Sequence, residues 1–171
     1  SNYFQELRSD VEGAYYGFYF LEFAGYYARE ANDETELLKL LYQTLRALVN
    51  QKIPNRLIRY IYELRGVAVN GEGPQVFECV CCRDTKREMM FSVKRGGLVC
   101  SHCQEKCADG RSLLPSTLYT LQYIVSSPIE KLYTFVVKEE VLEELGEIVT
   151  DYLAHYLGKH FKSLEILETI I

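Results

Sequence analysis

Apolar residues recur at three- and four-residue spacing through the first thirty positions. Phe4, Leu7, Val11, Ala14, Phe18 and Leu21 share one helical face, which predicts a helix over 3–29 that buries that face. From Tyr15 to Tyr27 aromatics occupy nearly every side, so this helix is expected to lie between neighbours. Asn32 or Asp33 is expected to cap a second helix, whose first turn carries Glu34 and Glu36 where the helix dipole favours negative charge. Its predicted buried stripe is Leu37, Leu38, Leu41, Leu45 and Leu48. Ile53-Pro54 marks a break, and Pro54 suits the first turn of a third helix. Ile58, Ile61 and Leu64 carry that helix to Gly66, where it is expected to stop.

Beyond Gly66 the pattern changes. Residues 67–78 contain Gly71, Gly73 and Pro74 without helical periodicity and read as a connecting loop. Two β-like runs follow, Met90-Phe91-Ser92-Val93 and Leu98-Val99, separated by Lys94-Arg95-Gly96-Gly97, a hairpin signature. Helices resume with Leu114-Pro115-Ser116-Thr117, running to about Val125, and Ser126-Ser127-Pro128 interrupts them. A long helix is expected from about Lys138 to Leu157. Val141, Leu145, Ile148, Val149, Tyr152 and Tyr156 face inward on it, while Glu139, Glu143, Glu147 and Asp151 face outward. The expected fold is mainly α: a bundle-like helical domain with an inserted β-hairpin lobe. Its parts are 3–66 as the first half of the body, 79–107 as the lobe, and 114–167 as the second half.

All six cysteines fall between 79 and 107. Cys79-Val80-Cys81-Cys82 and Cys100-Ser101-His102-Cys103 form two C-x2-C pairs with 17 residues between them. Two intervening residues let one tight turn aim both thiolates at a point, and the hairpin brings the second turn alongside. Four sulfurs about 2.3 Å from Zn²⁺ then complete a closed tetrahedron. The expected cofactor is a structural zinc ion held by Cys79, Cys82, Cys100 and Cys103. Cys81 in place of Cys82, or Cys107 in place of Cys103, is the alternative set, and the paired spacing favours the first. His102 is expected on the exposed turn, and His155 and His160 near a helix end or on the surface. Disulfides need an oxidising compartment, for which nothing in the sequence argues. A redox C-x-x-C usually stands alone at a helix start.

Charge refines this picture. The 171 residues carry a net charge of −5, which argues against a surface that wraps nucleic acid as a whole. The lobe differs: Arg83, Lys86, Arg87, Lys94, Arg95 and Lys106 outnumber Asp84, Glu88 and Glu105 by three, which leaves −8 elsewhere. A basic projection on an acidic body suits phosphates or an acidic peptide, and equally a lobe kept soluble by charge. Lys159, His160 and Lys162 form a smaller cluster. The longest apolar stretch, Ala14 to Ala28, contains Glu22 and falls short of the roughly 20 residues a bilayer requires. No nucleophile motif, phosphate-cradling loop or metal-binding His-x-x-x-His is present, so an enzyme is the weaker class. The chain begins Ser1-Asn2 without methionine, which reads as a tag remnant ahead of an excised fragment.

The order of several features resembles a known family. Tyr62-Glu63-Leu64-Arg65-Gly66 closes the helical first half, followed by Cys79-x-x-Cys82, Phe91, Gly96-Gly97 and Cys100-x-x-Cys103. A helix start at Leu113 to Thr117 comes next, then Tyr156-Leu157-Gly158 and Lys162-Ser163 near the end. Together these resemble the C-terminal part of RecO, the bacterial recombination mediators and DNA repair proteins, over Tyr3 to about Leu167. The resemblance implies a non-enzymatic mediator, cytoplasmic and nucleoid-associated, with an N-terminal OB-fold that is absent from this sequence. It implies binding of single- and double-stranded DNA, strand annealing, and work with RecR and single-stranded DNA-binding protein (SSB) in loading RecA. It further implies capture of the acidic SSB tail by the helical part, with Lys159 and Lys162 the candidates by position. In the lobe, Arg83, Lys86, Arg87, Lys94 and Arg95 are the candidates for DNA contact. The competing expectations are a zinc-ribbon interaction module in transcription and a thiol redox switch.

Overall fold

A computed structural model describes residues 2–30 and 34–171. Among the described residues six α-helices occur in the order α1 (Asn2–Glu30), α2 (Glu34–Asn50), α3 (Asn55–Val69), α4 (Pro115–Ser126), α5 (Glu139–Tyr156) and α6 (Lys162–Ile170). Between α3 and α4 lie three short strands, β1 (Met89–Ser92), β2 (Gly97–Cys100) and β3 (Arg111–Ser112). The caps expected at Asn32 or Asp33 fall outside the described residues. Contacts divide the chain into two compact units. One gathers Ser1–Tyr62, Pro128–Val136 and Lys159–Ile171, the other Glu63–Ser127 and Val137–Gly158. Among the described residues no helix is long and apolar enough to cross a membrane.

The first unit is built around an aromatic cluster. Tyr16, Tyr19, Phe20, Phe23 and Tyr27 of α1 are buried, and Phe23 packs its ring 5.0 Å from Tyr62 and 5.6 Å from Phe161. The Tyr62 hydroxyl donates to the Phe20 carbonyl at 2.7 Å, so the ring is buried without leaving its polar tip unpaired. This corrects the predicted face of α1. Phe4, Leu7, Val11, Phe18 and Leu21 are all exposed. The helix carries two apolar faces, and the aromatic one wins because α3 and Phe161 present rings that fill the space against it. The α2 stripe is likewise displaced: Leu37, Leu40, Thr44, Ala47 and Leu48 are buried, while Leu38 is exposed.

Helix α6 was not expected from local sequence, and its start explains why. Its N-cap residue is Phe161, which has no capping oxygen. The carboxylate of Glu22 on α1 does that work, accepting from the Ser163 N–H at 3.0 Å and the Ser163 hydroxyl at 2.6 Å. The Ser163 hydroxyl is the main cause holding the Glu22 carboxyl below its ordinary value.

The second unit carries the hairpin. Strand β1 pairs antiparallel with β2, with Met89 opposite Cys100 and Ser92 opposite Gly97, and also with β3, giving the order β2-β1-β3. The two-residue β3 is an addition to the predicted hairpin. Helix α3 runs on through Gly66 to Val69, and Arg65 near its end donates to the carbonyls of Ile124 and Ser127 at 2.9 and 2.7 Å. Those contacts satisfy the C-terminus of α4, whose last carbonyls have no partner within the helix. On α5 the inward set is buried as expected, apart from the partly exposed Tyr156. On the same helix, Glu147 pairs with Arg111 at 2.7 Å, and Glu144 accepts from the Leu114 N–H at 2.8 Å.

Candidate metal centre and basic lobe

Two tight turns bring the four expected sulfurs together. In the first, the Arg83 N–H donates to the Cys79 carbonyl at 2.9 Å, with Arg83 in the left-handed region at φ 68°. In the second, the Cys103 N–H donates to the Cys100 carbonyl at 3.0 Å. A backbone bond from the first turn to β2 sets the turns side by side, the Val80 N–H donating to the Leu98 carbonyl at 2.8 Å. The Sγ atoms of Cys79, Cys82, Cys100 and Cys103 lie within 4.8 Å of one another, and Cys82 and Cys100 are 3.7 Å apart. A tetrahedron with Zn–S bonds of about 2.3 Å has edges of about 3.8 Å, so the donor set and its spacing suit that ion. These four cysteines can hold a metal ion.

The surroundings are those of clustered thiolates. Cys79 and Cys100 are buried with Val99, while Val80, Met89, Cys103 and Cys107 pack against them. Burial opposes ionisation of Cys79. The N–H groups of Cys100, Cys82 and Cys81 overcome it and hold that thiol down to about 6. Two of these reach its sulfur at 3.3 Å from Cys100 and 3.4 Å from Cys81. Burial and then the neighbouring sulfurs push Cys103 up to about 12. Thiolates gathered this closely repel one another, and a divalent metal would supply the balancing charge. Cys81 and Cys107 stand apart. Cys81 is exposed, and the Cys107 thiol donates to Asp109 Oδ1 at 3.4 Å. His102 is exposed on its turn.

Arg83, Lys86, Arg87, Lys94 and Arg95 all lie on this lobe with their side chains exposed. Lys159 and Lys162 are exposed on either side of the buried Phe161 in the first unit. Two residues that sequence reasoning did not single out organise the basic loops. Asp84 Oδ2 accepts from the N–H groups of Arg87 at 2.7 Å and Lys86 at 3.2 Å. Asp109 accepts from the Ser92 hydroxyl at 2.6 Å and the Lys94 N–H at 2.9 Å. The Arg87 N–H is the leading cause that holds the Asp84 carboxyl below its usual range. At Asp109 burial works the other way, but the donors from Lys94, Ser92 and Cys107 outweigh it and the carboxyl again lies low. Asp84 was legible only as a charge, and Asp109 lies beyond the cysteine-bounded segment.

The hairpin turn needs both of its glycines. Gly97 has φ 156°, and a Cβ there would lie 2.3 Å from the Gln75 carbonyl oxygen. Gly96 has φ 76°, with the Tyr156 hydroxyl 3.0 Å from where its Cβ would stand. The Tyr156 hydroxyl also donates to the Val93 carbonyl at 3.0 Å, tying the turn to α5.

Fold and site define a helical domain carrying a four-cysteine hairpin lobe with a basic surface. The sequence model of the family described as "Recombination protein O C terminal" matches residues 8–165, and the chain belongs to that family. Among its relatives, the DNA repair protein RecO of Acetivibrio thermocellus is 28% identical over 169 residues, 98% of this chain and 67% of its own length. That of Halalkalibacterium halodurans is 29% identical over 167 residues, 98% of this chain and 65% of its own length. The DNA repair protein RecO of Thermoanaerobacter sp. is 31% identical over 142 residues, 82% of this chain and 57% of its own length. The chain thus spans about two thirds of the length of the first two relatives and less of the third.

Proposed function

We propose that this chain is the helical, zinc-bearing part of a bacterial DNA repair and recombination mediator, acting without bond-breaking chemistry of its own. The observation that carries the reading is the family match from residue 8 to 165, which spans the helices on both sides of the cysteine lobe. Zn²⁺ is the ion we assign to Cys79, Cys82, Cys100 and Cys103, because four cysteine sulfurs at this spacing suit its tetrahedral coordination, and a closed set of four leaves no open position for catalysis. Its role is to hold a lobe with few apolar side chains in one shape.

Held in that shape, the lobe offers Arg83, Lys86, Arg87, Lys94 and Arg95 to DNA phosphates, as a secondary contact beside a separate DNA-binding domain in the whole protein. The helical body is the docking platform. Lys159 and Lys162 are our candidates for the acidic SSB tail, since both are exposed cations of the kind such a tail requires. RecR and RecA loading belong to the same reading, in the cytoplasm at the nucleoid.

The lobe is tested by the salt dependence of oligonucleotide binding. Each phosphate contact contributes about 0.9 to the slope of log affinity against log salt on duplex DNA and about 0.7 on a single strand. Lys94→Ala/Arg95→Ala is therefore expected to lower the duplex slope by about 1.8, with similar loss on unrelated sequences. An unchanged slope and affinity would remove the lobe from DNA contact.

A further inference from the structure

We propose that Asp109 is a positioning residue for the Lys94–Arg95 turn, and that the turn meets a nucleic-acid backbone through side chains alone and does not cradle a free phosphate. This rests on the phosphate-contact reading above and adds to it the kind of ligand and the residue that prepares the turn.

Four of the N–H groups from which an anion nest at this turn would be built are already used. The Lys94 N–H donates to Asp109 Oδ2 at 2.9 Å, and the Arg95 N–H donates to the Ser92 hydroxyl oxygen at 3.0 Å. The Gly96 N–H donates to the Val93 carbonyl at 3.1 Å, and the Leu98 N–H to the Gln75 carbonyl at 2.9 Å. A small phosphate recognised by a loop needs several free N–H groups converging on it. Here none of these four is free. What the turn presents is cationic side chains, and those suit a polyanion along which many weak contacts sum.

Asp109 is what fixes them. One carboxylate oxygen takes the hydroxyl of the buried Ser92, and the other takes the Lys94 N–H. Ser92 in turn accepts the Arg95 N–H, so a single carboxylate orders the backbone of both cations. The Arg95 guanidinium also donates to the Lys106 carbonyl at 2.9 Å, which holds its head near one place. Asp84 is used in the same way at the other basic loop, under Lys86 and Arg87. In both loops a negative charge stands where simple attraction for phosphate would exclude it. Its value is geometric: ordering in advance lowers the conformational cost of binding.

Charge and geometry predict opposite signs for one variant, which makes the test decisive. Asp109→Ala makes the lobe one charge more positive, so charge alone predicts tighter binding. Loss of positioning predicts weaker binding, with the single-strand salt slope falling by about 0.7 for each cation that leaves its phosphate. The experiment titrates a labelled single-stranded oligonucleotide with the 171-residue chain, Asp109→Ala, Asp109→Asn and Lys94→Ala/Arg95→Ala across a salt series. Metal content and circular dichroism are read on each variant. Asp109→Asn keeps the shape and one acceptor oxygen, and it carries the comparison if Asp109→Ala loses its metal. The expected result is weaker binding and a lower slope for Asp109→Ala, with Asp109→Asn between it and the parent. Undiminished binding by the metal-loaded Asp109 variants, while Lys94→Ala/Arg95→Ala weakens, would overturn the positioning role and leave the phosphate reading standing. Full binding by Lys94→Ala/Arg95→Ala would overturn both. Displacement of the oligonucleotide by inorganic phosphate at matched ionic strength would overturn the side-chain-only ligand.

Discussion

Cys100→Ser is expected to abolish metal binding and unfold the two cysteine turns of the lobe. Cys100 sits at the end of β2, fully buried, with its sulfur 3.7 Å from that of Cys82. A serine oxygen fits the space but does not replace a thiolate toward zinc, and three sulfurs would be left gathered without their cation. Structural zinc in small zinc-finger peptides contributes roughly 10–16 kcal/mol at pH 7. The buried cluster at these sulfurs is small, formed by Cys79, Val99 and Cys100, whereas the strands also bury Phe91 and Leu98, so the loss falls first on the two cysteine turns. Hydrogen exchange should find the amides of both cysteine turns unprotected in the variant. Cys81→Ser and Cys107→Ser are expected to keep the ion and the protection, because neither sulfur belongs to the cluster. Retained protection in Cys100→Ser would mean that packing and not metal holds the lobe.

The second large effect lies in the aromatic core. Phe23→Ala is expected to cost about 3–5 kcal/mol, the usual range for truncating a fully buried phenylalanine. Its ring lies 4.8 Å from Tyr27, 5.0 Å from Tyr62 and 5.6 Å from Phe161, three rings that cannot all collapse into the void. Phe18→Ala, five residues earlier on the same helix, is expected to change stability by about 0.5 kcal/mol or less, since Phe18 is 56% exposed. Urea unfolding of the two variants reads the difference as a shift in midpoint at constant slope. Equal effects, or a larger one at Phe18, would reverse the assignment of the buried face.

That pair of residues also marks where the sequence was and was not legible. Spacing of three and four identified α1 as a helix, but the helix has apolar residues on two faces, and periodicity alone does not say which one meets a partner. The choice depends on Tyr62 and Phe161, which are remote in sequence. Helix α6 was missed for a related reason, since its N-terminus is satisfied by Glu22, 141 residues away. Strand β3 is two residues long and leaves no alternating pattern to read. By contrast α5 was readable because its buried and acidic positions separate cleanly around the helix. The cysteine spacing was readable because the geometry of a two-residue turn is local. The turn residues Gly96 and Gly97 were legible as a hairpin, although the reason for Gly97, the close approach of the Gln75 backbone, was not. Asp109 illustrates the remaining gap: a lone carboxylate in a loop carries no signal until the fold places it under Ser92 and Lys94.

Four of the six cysteines are expected to form a closed metal site on which the basic lobe depends. This is tested most directly by native mass spectrometry combined with cysteine alkylation mapped by peptide. One zinc ion per chain is expected, with Cys79, Cys82, Cys100 and Cys103 protected and Cys81 and Cys107 modified. Chelation should then expose the four protected thiols. A metal-free chain with all six thiols reactive, or a reversible Cys79–Cys82 disulfide under mild oxidation, would contradict it and favour a redox role for the lobe.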